Sequence, residues 1–201
     1  MAEKTEHALE RLVFFSDAVF AIAITLLIIE IHPPHLEPHA GDAAHWQALA
    51  QLIPKFVGYA VSFWVIGMFW MGHHRAFGLA SRYSARVLPW NLALLMTIAF
   101  MPFVTAYFSS NFTARVPAVV YCSAMLVAAL LNLKVNRTAT GPDMVDPSVP
   151  EASVIDLRRR SLSVALGAAV AVALSLVYPP AAPAGLAAIP LWRMLLGRMA
   201  G

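Results

Sequence analysis

Charged side chains are what this sequence has least of. Asp, Glu, Lys and Arg together make up 12% of its 201 residues, about half the share found in soluble domains. So little charge excludes an ordinary water-facing surface. Cysteine is nearly absent as well: Cys122 stands alone inside an apolar stretch. That excludes an internal disulfide and a thiolate metal site. No HExxH, no nucleotide-binding glycine loop and no nucleophile–base pair can be found. The chain therefore does not read as an enzyme, and no cofactor is expected. The net charge of +3 is small, and its Lys and Arg gather at the ends of apolar segments, a pattern suited to lipid headgroups rather than to nucleic acid.

Apolar residues make up the bulk, at 60% of the chain. A bilayer core of about 30 Å takes roughly 17–25 apolar residues in a helix. Six segments meet that length: 12–31, 49–72, 87–108, 116–133, 161–178 and a shorter one at 182–197, which carries Gly185 and Pro190. The expected architecture is one all-α membrane domain, 1–201, with six transmembrane helices embedded in a lipid bilayer. The polar start "MAEKTEHALER" lacks the pattern of a cleaved signal, so the first apolar helix is expected to be retained.

The basic residues set an orientation. Lys4 and Arg11 lie before the first span, Arg75, Arg82 and Arg86 between the second and third, and Arg193 and Arg198 at the end. Lys134, Arg137, Arg158, Arg159 and Arg160 lie between the fourth and fifth. The alternate loops hold almost none. The positive-inside rule then places both termini in the cytoplasm, in what reads as a plasma membrane. Lys55, the one exception, can snorkel from the outer end of the second span. Segments 32–45, with His32, His35, His39 and His45, and 136–160 read as loops. The loop histidines read as polar linker, with no metal site expected. Small residues at four-residue spacing, Ala124/Ala128 and Ala165/Ala169/Ala173, suggest close helix packing.

The first helix is the most informative. At 100° per residue, Ala18, Thr25, Leu26 and Ile29 fall within about 60° of Ile22 and form one stripe. Asp17 and Ser16 lie roughly 140° and 120° away, on the opposite face. Asp17 and Glu30 are about 20 Å apart along the axis, toward opposite membrane surfaces. A carboxylate inside a span is costly, about 2.5–3.5 kcal/mol at the centre, and is usually turned inward and paired. Trp70, His73, His74, Arg75 and Asn91 offer donors at the same end of the bundle. Read from the residues alone, Ser16 and Asp17 are a structural clamp, and the Ile22 stripe is one face of a helix that is apolar nearly all round.

The run Arg11-x-x-x-Phe15-Ser16-Asp17, followed by "AVFAIAITLLIIEI", resembles the start of the first helix in the transmembrane protein 175 family. "FWMGHHRAF" at 69–77 and Trp90-Asn91 extend the resemblance, which covers the whole chain. It implies a homotetramer with one six-helix repeat per chain and a central pore lined by four copies of the first helix. The implied job is a potassium-preferring channel for monovalent cations. Matched from the motif's Asp, the narrowest constriction falls on Ile22, further pore-facing positions on Leu26 and Ile29, and a polar selectivity layer on Thr25. Glu30 falls near the outer mouth and Arg11 at the cytoplasmic mouth. Arg11, Phe15, Ser16 and Asp17 belong to the motif, and its Ser and Asp are expected to bond Trp70, one of His73 and His74, and Asn91. The alternatives are a proton-coupled secondary transporter, using Asp17 and a histidine, and a membrane scaffold with no permeation path. The sequence shows no paired interrupted helices of the kind transporters carry at their sites.

Overall fold

The computed structural model describes residues 2–82 and 84–198, the side chains of 2–6 and 198 excepted. The side chains of Lys4 and Arg198, used above for orientation, thus lie outside the described residues. The described residues form the helices α1 (Ala2–Ile29), α2 (Asp42–Gln51), α3 (Ile53–Leu79), α4 (Leu88–Ser110), α5 (Arg115–Ala139), α6 (Glu151–Val177), α7 (Ala182–Ala187) and α8 (Ile189–Arg198), joined by turns and loops. Among the described residues, five helical stretches are long and apolar enough to cross a membrane: 7–29, 53–79, 85–110, 115–139 and 151–177.

These bounds differ from the apolar runs for local reasons. α1 begins well before residue 12 because its polar start, Thr5 and His7 apart, is built of Ala, Glu, Lys, Leu and Arg, all good helix formers. The segment read as 49–72 is divided at Leu52: residues 49–51 close α2, and α3 starts with Pro54 in its first turn, where a missing N–H costs nothing. α3 then runs on to Leu79, carrying the His-His-Arg segment as helix. α6 starts at Glu151, directly after Pro150, so much of the expected 136–160 loop is helix. What remains of that loop is tied down. Ala80 and Val145 form an antiparallel bridge, Ser81 N donates to Met144 O at 2.8 Å, and Arg158 Nη2 donates to Thr140 O at 2.7 Å.

The sixth segment departs most from expectation. Residues 182–197 do not form one helix. A 3-10 turn at Pro179–Ala181 leads into α7, and the chain breaks at Ala188 before α8. Pro190 has no N–H to give and its ring would clash with the carbonyl four residues earlier, which favours a break just before it. The two short helices nevertheless run antiparallel along α6. A Cβ on Gly185 would fall within 2.6 Å of Ala171 Cα, and one on Gly167 within 2.5 Å of Ile189 Cγ1. Gly185 meets Ala171, and four residues later Ile189 meets Gly167, four residues earlier. Only glycine permits backbones to approach so closely.

The core lies where α1, α3, α4 and α5 meet, and is filled by Phe20, Leu27, Ile66, Leu94, Ile98, Met101 and Val104. α4 passes through Pro102 without ending. α5 and α6 pack through small side chains: Ala124 and Ala128 on α5 are buried as their spacing suggests. On α6 the buried series is Ala165, Ala168, Ala171 and Ser175, whereas Ala169 and Ala173 are exposed. The helix turns 100° per residue, so strict four-residue spacing drifts off the contact line that the mixed spacing follows.

Candidate functional site

α1 lies at one edge of the bundle and packs against α3 and α4. Its buried stripe is Leu12, Ser16, Phe20, Ala23 and Leu27, spaced by three and four residues. The opposite face is bare. Ile22 is 57% exposed, Leu26 40% and Ile29 64%, and Arg11, Phe15, Ala18 and Thr25 are exposed beside them. The face that the angular count put opposite Ser16 is thus the unpartnered face of the protomer. Thr25 Oγ1 donates to Ile22 O at 2.8 Å. Its proton is committed to the helix, which leaves the oxygen lone pairs turned outward.

At one end of this helix three elements are tied together by a buried polar chain. Asn91, in the first turn of α4, donates from Nδ2 to Ser16 Oγ at 2.9 Å. Its Oδ1 lies 2.9 Å from His73 Nε2 on α3. Since Oδ1 can only accept, His73 must carry its proton on Nε2. Ser16 Oγ in turn donates to Leu12 O at 2.8 Å. All three side chains are fully buried. The His73 ring packs between Phe20 and Phe77, with centroids 5.6 and 4.5 Å away, and its Nδ1 has no partner.

Asp17 belongs to a second, outer pair. Trp70 Nε1 donates to its Oδ1 at 2.8 Å, and the Trp70 indole stacks on His74 at 5.3 Å. A carboxylate one residue beyond Ser16 thereby reaches the α3 surface that faces outward from the core. The residues grouped by sequence accordingly divide in three. Ser16, His73 and Asn91 form the buried chain; Asp17 and Trp70 form the outer pair, with His74 stacked on Trp70; Arg11 and Phe15 lie on the bare stripe. At the other end of α1, Glu30 borders a small cleft with Lys55 and Tyr59.

Two polar groupings were not anticipated from sequence. Thr105 Oγ1 donates to Ser62 Oγ at 2.8 Å, and Ser62 lies 2.9 Å from the Tyr121 hydroxyl, linking α3, α4 and α5. On α5, Asn132 donates to Phe69 O at 3.3 Å and Asn136 to Ser161 Oγ at 2.9 Å. The signal for the second was present: two amides four residues apart share one helix face. Among the described residues, no group of three His, Cys, Asp or Glu side chains is placed to hold a metal ion.

Residues 11–102, which include the motif on α1 and its α3 and α4 partners, match the family described as "Endosomal/lysosomal potassium channel TMEM175". A potassium channel of Streptomyces collinus is 37% identical over 172 residues, 83% of this chain and 82% of that protein. The human endosomal/lysosomal proton channel TMEM175 is 23% identical over 75% of this chain, which spans only 30% of it. The crystal structure of a lysosomal potassium-selective channel TMEM175 homologue from Chamaesiphon minutus is similar with a TM-score of 0.76 at 28% identity, covering 96% of this chain and 98% of that one. With a relative this similar aligned over most of both lengths, and with the helix-end chain built from the motif's own residues, the chain belongs to the endosomal/lysosomal potassium channel TMEM175 family.

Proposed function

We propose that this chain is one subunit of a potassium-preferring cation channel, in which four copies of α1 surround a central path. The observation that carries the reading is the bare apolar stripe on α1. Ile22, Leu26 and Ile29 are large and exposed on an edge helix, while the opposite face of the same helix is pinned by the Ser16–Asn91–His73 chain. A helix held so firmly by one face presents the other in a fixed orientation, as a pore wall requires. The bacterial relative above is named a potassium channel, and the Chamaesiphon structure is described as potassium-selective.

In this reading the four Ile22 side chains form the constriction. Apolar rings offer no ligand to replace water around an ion, so a narrow ring blocks by dewetting and a wider one passes a partly hydrated ion. Potassium sheds water more readily than sodium, which gives a modest preference. Thr25 adds to it, since its outward lone pairs can accept an ion where its proton cannot interfere. Glu30 raises the cation concentration at the outer mouth. α7 and α8 together serve as a sixth, broken crossing: they run back along α6 from the end near Tyr178 toward Asp156. Both termini then lie on the cytoplasmic side of the cell membrane, with the arginine-rich loops.

The test is potassium flux into proteoliposomes containing the purified chain, compared with Ile22→Ala and Ile22→Asn. Both substitutions should raise flux several-fold and flatten the preference for potassium over sodium, with the oligomer intact. Wild type passing no cation, with neither variant changing that, would sink the assignment. A transporter would instead lose all flux on Asp17→Asn and ignore residue 22. No geometry favours it: Asp17 bonds Trp70, and His73 bonds Asn91.

A further inference from the structure

Between α3, α5, α6 and α8 lies a cavity of about 280 Å³. Three arginines from three helices line it: Arg75 on α3, Arg160 on α6 and Arg193 on α8. Asp156 organises two of them, accepting from Arg160 Nε at 2.6 Å and lying 3.9 Å from Arg193 Nη2. One carboxylate against three guanidinium groups leaves the cavity mouth with a net charge of about +2, since arginine stays protonated. In the wall sits Asn132, only 6% exposed, whose Oδ1 has no partner. The rest of the lining is largely apolar, with Met68, Met71 and Val164 among it.

This combination is not explained by packing. A buried amide oxygen without a donor costs about 1–3 kcal/mol, and three guanidinium groups gathered around one carboxylate at the mouth leave an excess of positive charge that favours an anion. A single ligand chemistry relieves both: a phosphate ester for the guanidinium forks, carrying a hydroxyl to donate to Asn132 Oδ1. The apolar wall suits the start of an acyl chain. We infer that this cavity binds a hydroxyl-bearing phosphate ester, of the kind an anionic glycerol-headed phospholipid presents where helix ends meet the headgroup layer. The same phosphate-and-hydroxyl chemistry occurs in soluble glycerol phosphates, so the source is left to the experiment. Binding here does not depend on the permeation reading, because the site is formed by α3, α5, α6 and α8 and none of the α1 stripe takes part.

The test uses the purified, delipidated oligomer in a neutral detergent, with thermal midpoint as the readout. Dihexanoyl phosphatidylglycerol should raise the midpoint in a saturable way, and dihexanoyl phosphatidylcholine should not. Arg75→Gln with Arg193→Gln, both at exposed positions, should weaken the apparent affinity at least tenfold, with Lys at both positions falling between. Wild type should favour phosphatidylglycerol over the equally charged phosphatidylmethanol several-fold, and Asn132→Leu should erase that preference. If glycerol 1-phosphate gives the same shift as the lipid, the site stands and its ligand is soluble; if only the lipid does, the ligand comes from the membrane. Equal shifts with the choline lipid, unweakened binding in the double Gln variant, or no shift with any anion overturns the proposal.

Discussion

Replacing Asn91 with leucine isolates the chain that fixes α1. The wild-type side chain is fully buried and serves two helices at once. Without it, the His73 Nε2–H loses its acceptor, and the ring's other nitrogen has no partner to turn to. A buried donor stranded in this way costs about 1–3 kcal/mol. Ser16 loses a donor but keeps its bond to Leu12 O, which makes its share a net hydrogen bond of about 0.5–1.5 kcal/mol. Leucine restores volume and apolar contact, so the expected loss falls in the lower part of that sum, about 1.5–3 kcal/mol. For a chain of this length that is a drop of about 3–12 °C in thermal midpoint, read by tryptophan fluorescence in detergent.

Trp70→Phe provides the comparison. It removes one bond between two partly exposed groups, and interhelical hydrogen bonds in membranes average about 0.6 kcal/mol. Ser16→Ala combined with Asn91→Leu should cost less than the two separately, because they share one bond. An Asn91→Leu midpoint within about 1 °C of wild type, or a larger drop for Trp70→Phe, would refute the view that the buried chain is the clamp.

The remaining predictions concern backbone and packing. His39 holds φ at 74°, directly after Pro38, in a turn closed by Ala40 N donating to Glu37 O at 3.1 Å. Such a turn wants glycine at this position; relief of left-handed strain of about 1–2 kcal/mol, less about 0.5–1 kcal/mol for glycine's greater chain entropy, should make His39→Gly a net gain of about 0.5–1 kcal/mol, seen as a small rise in melting temperature. Gly185→Ala should do the reverse: its methyl group would meet the Ala171 backbone, which cannot swing aside. Overpacking of this kind costs about 1–3 kcal/mol, and protease sensitivity should appear first at the α6–α7 connection.

Five long apolar helices are legible in the sequence because a bilayer demands runs of one length and interrupts them with arginine. Helix ends are less legible. Hydropathy marks where apolar residues stop, whereas Ala2–Arg11 and Glu151–Arg160 continue the helix on propensity and proline placement. The break at Ala188 was foreshadowed by Pro190 without being located by it. The motif residues Ser16 and Asp17 stood out as polar groups inside an apolar run, which is a chemical signal that needs no coordinates.

Their division of labour was not legible. Adjacent residues on a helix point 100° apart, and only the positions of α3 and α4 decided that Ser16 enters the buried chain while Asp17 meets Trp70 on its outer side. The same holds for the two histidines: His73 and His74 are chemically equal in the sequence, and helix phase alone buries one and exposes the other. The sequence by itself determined that this chain lives in lipid, which ends carry its charge, and where its costly polar groups lie, since those follow from transfer free energies of single residues. Tertiary structure decided which face of α1 is bare and which three arginines share a cavity, because both depend on what residues far apart in the chain bring alongside.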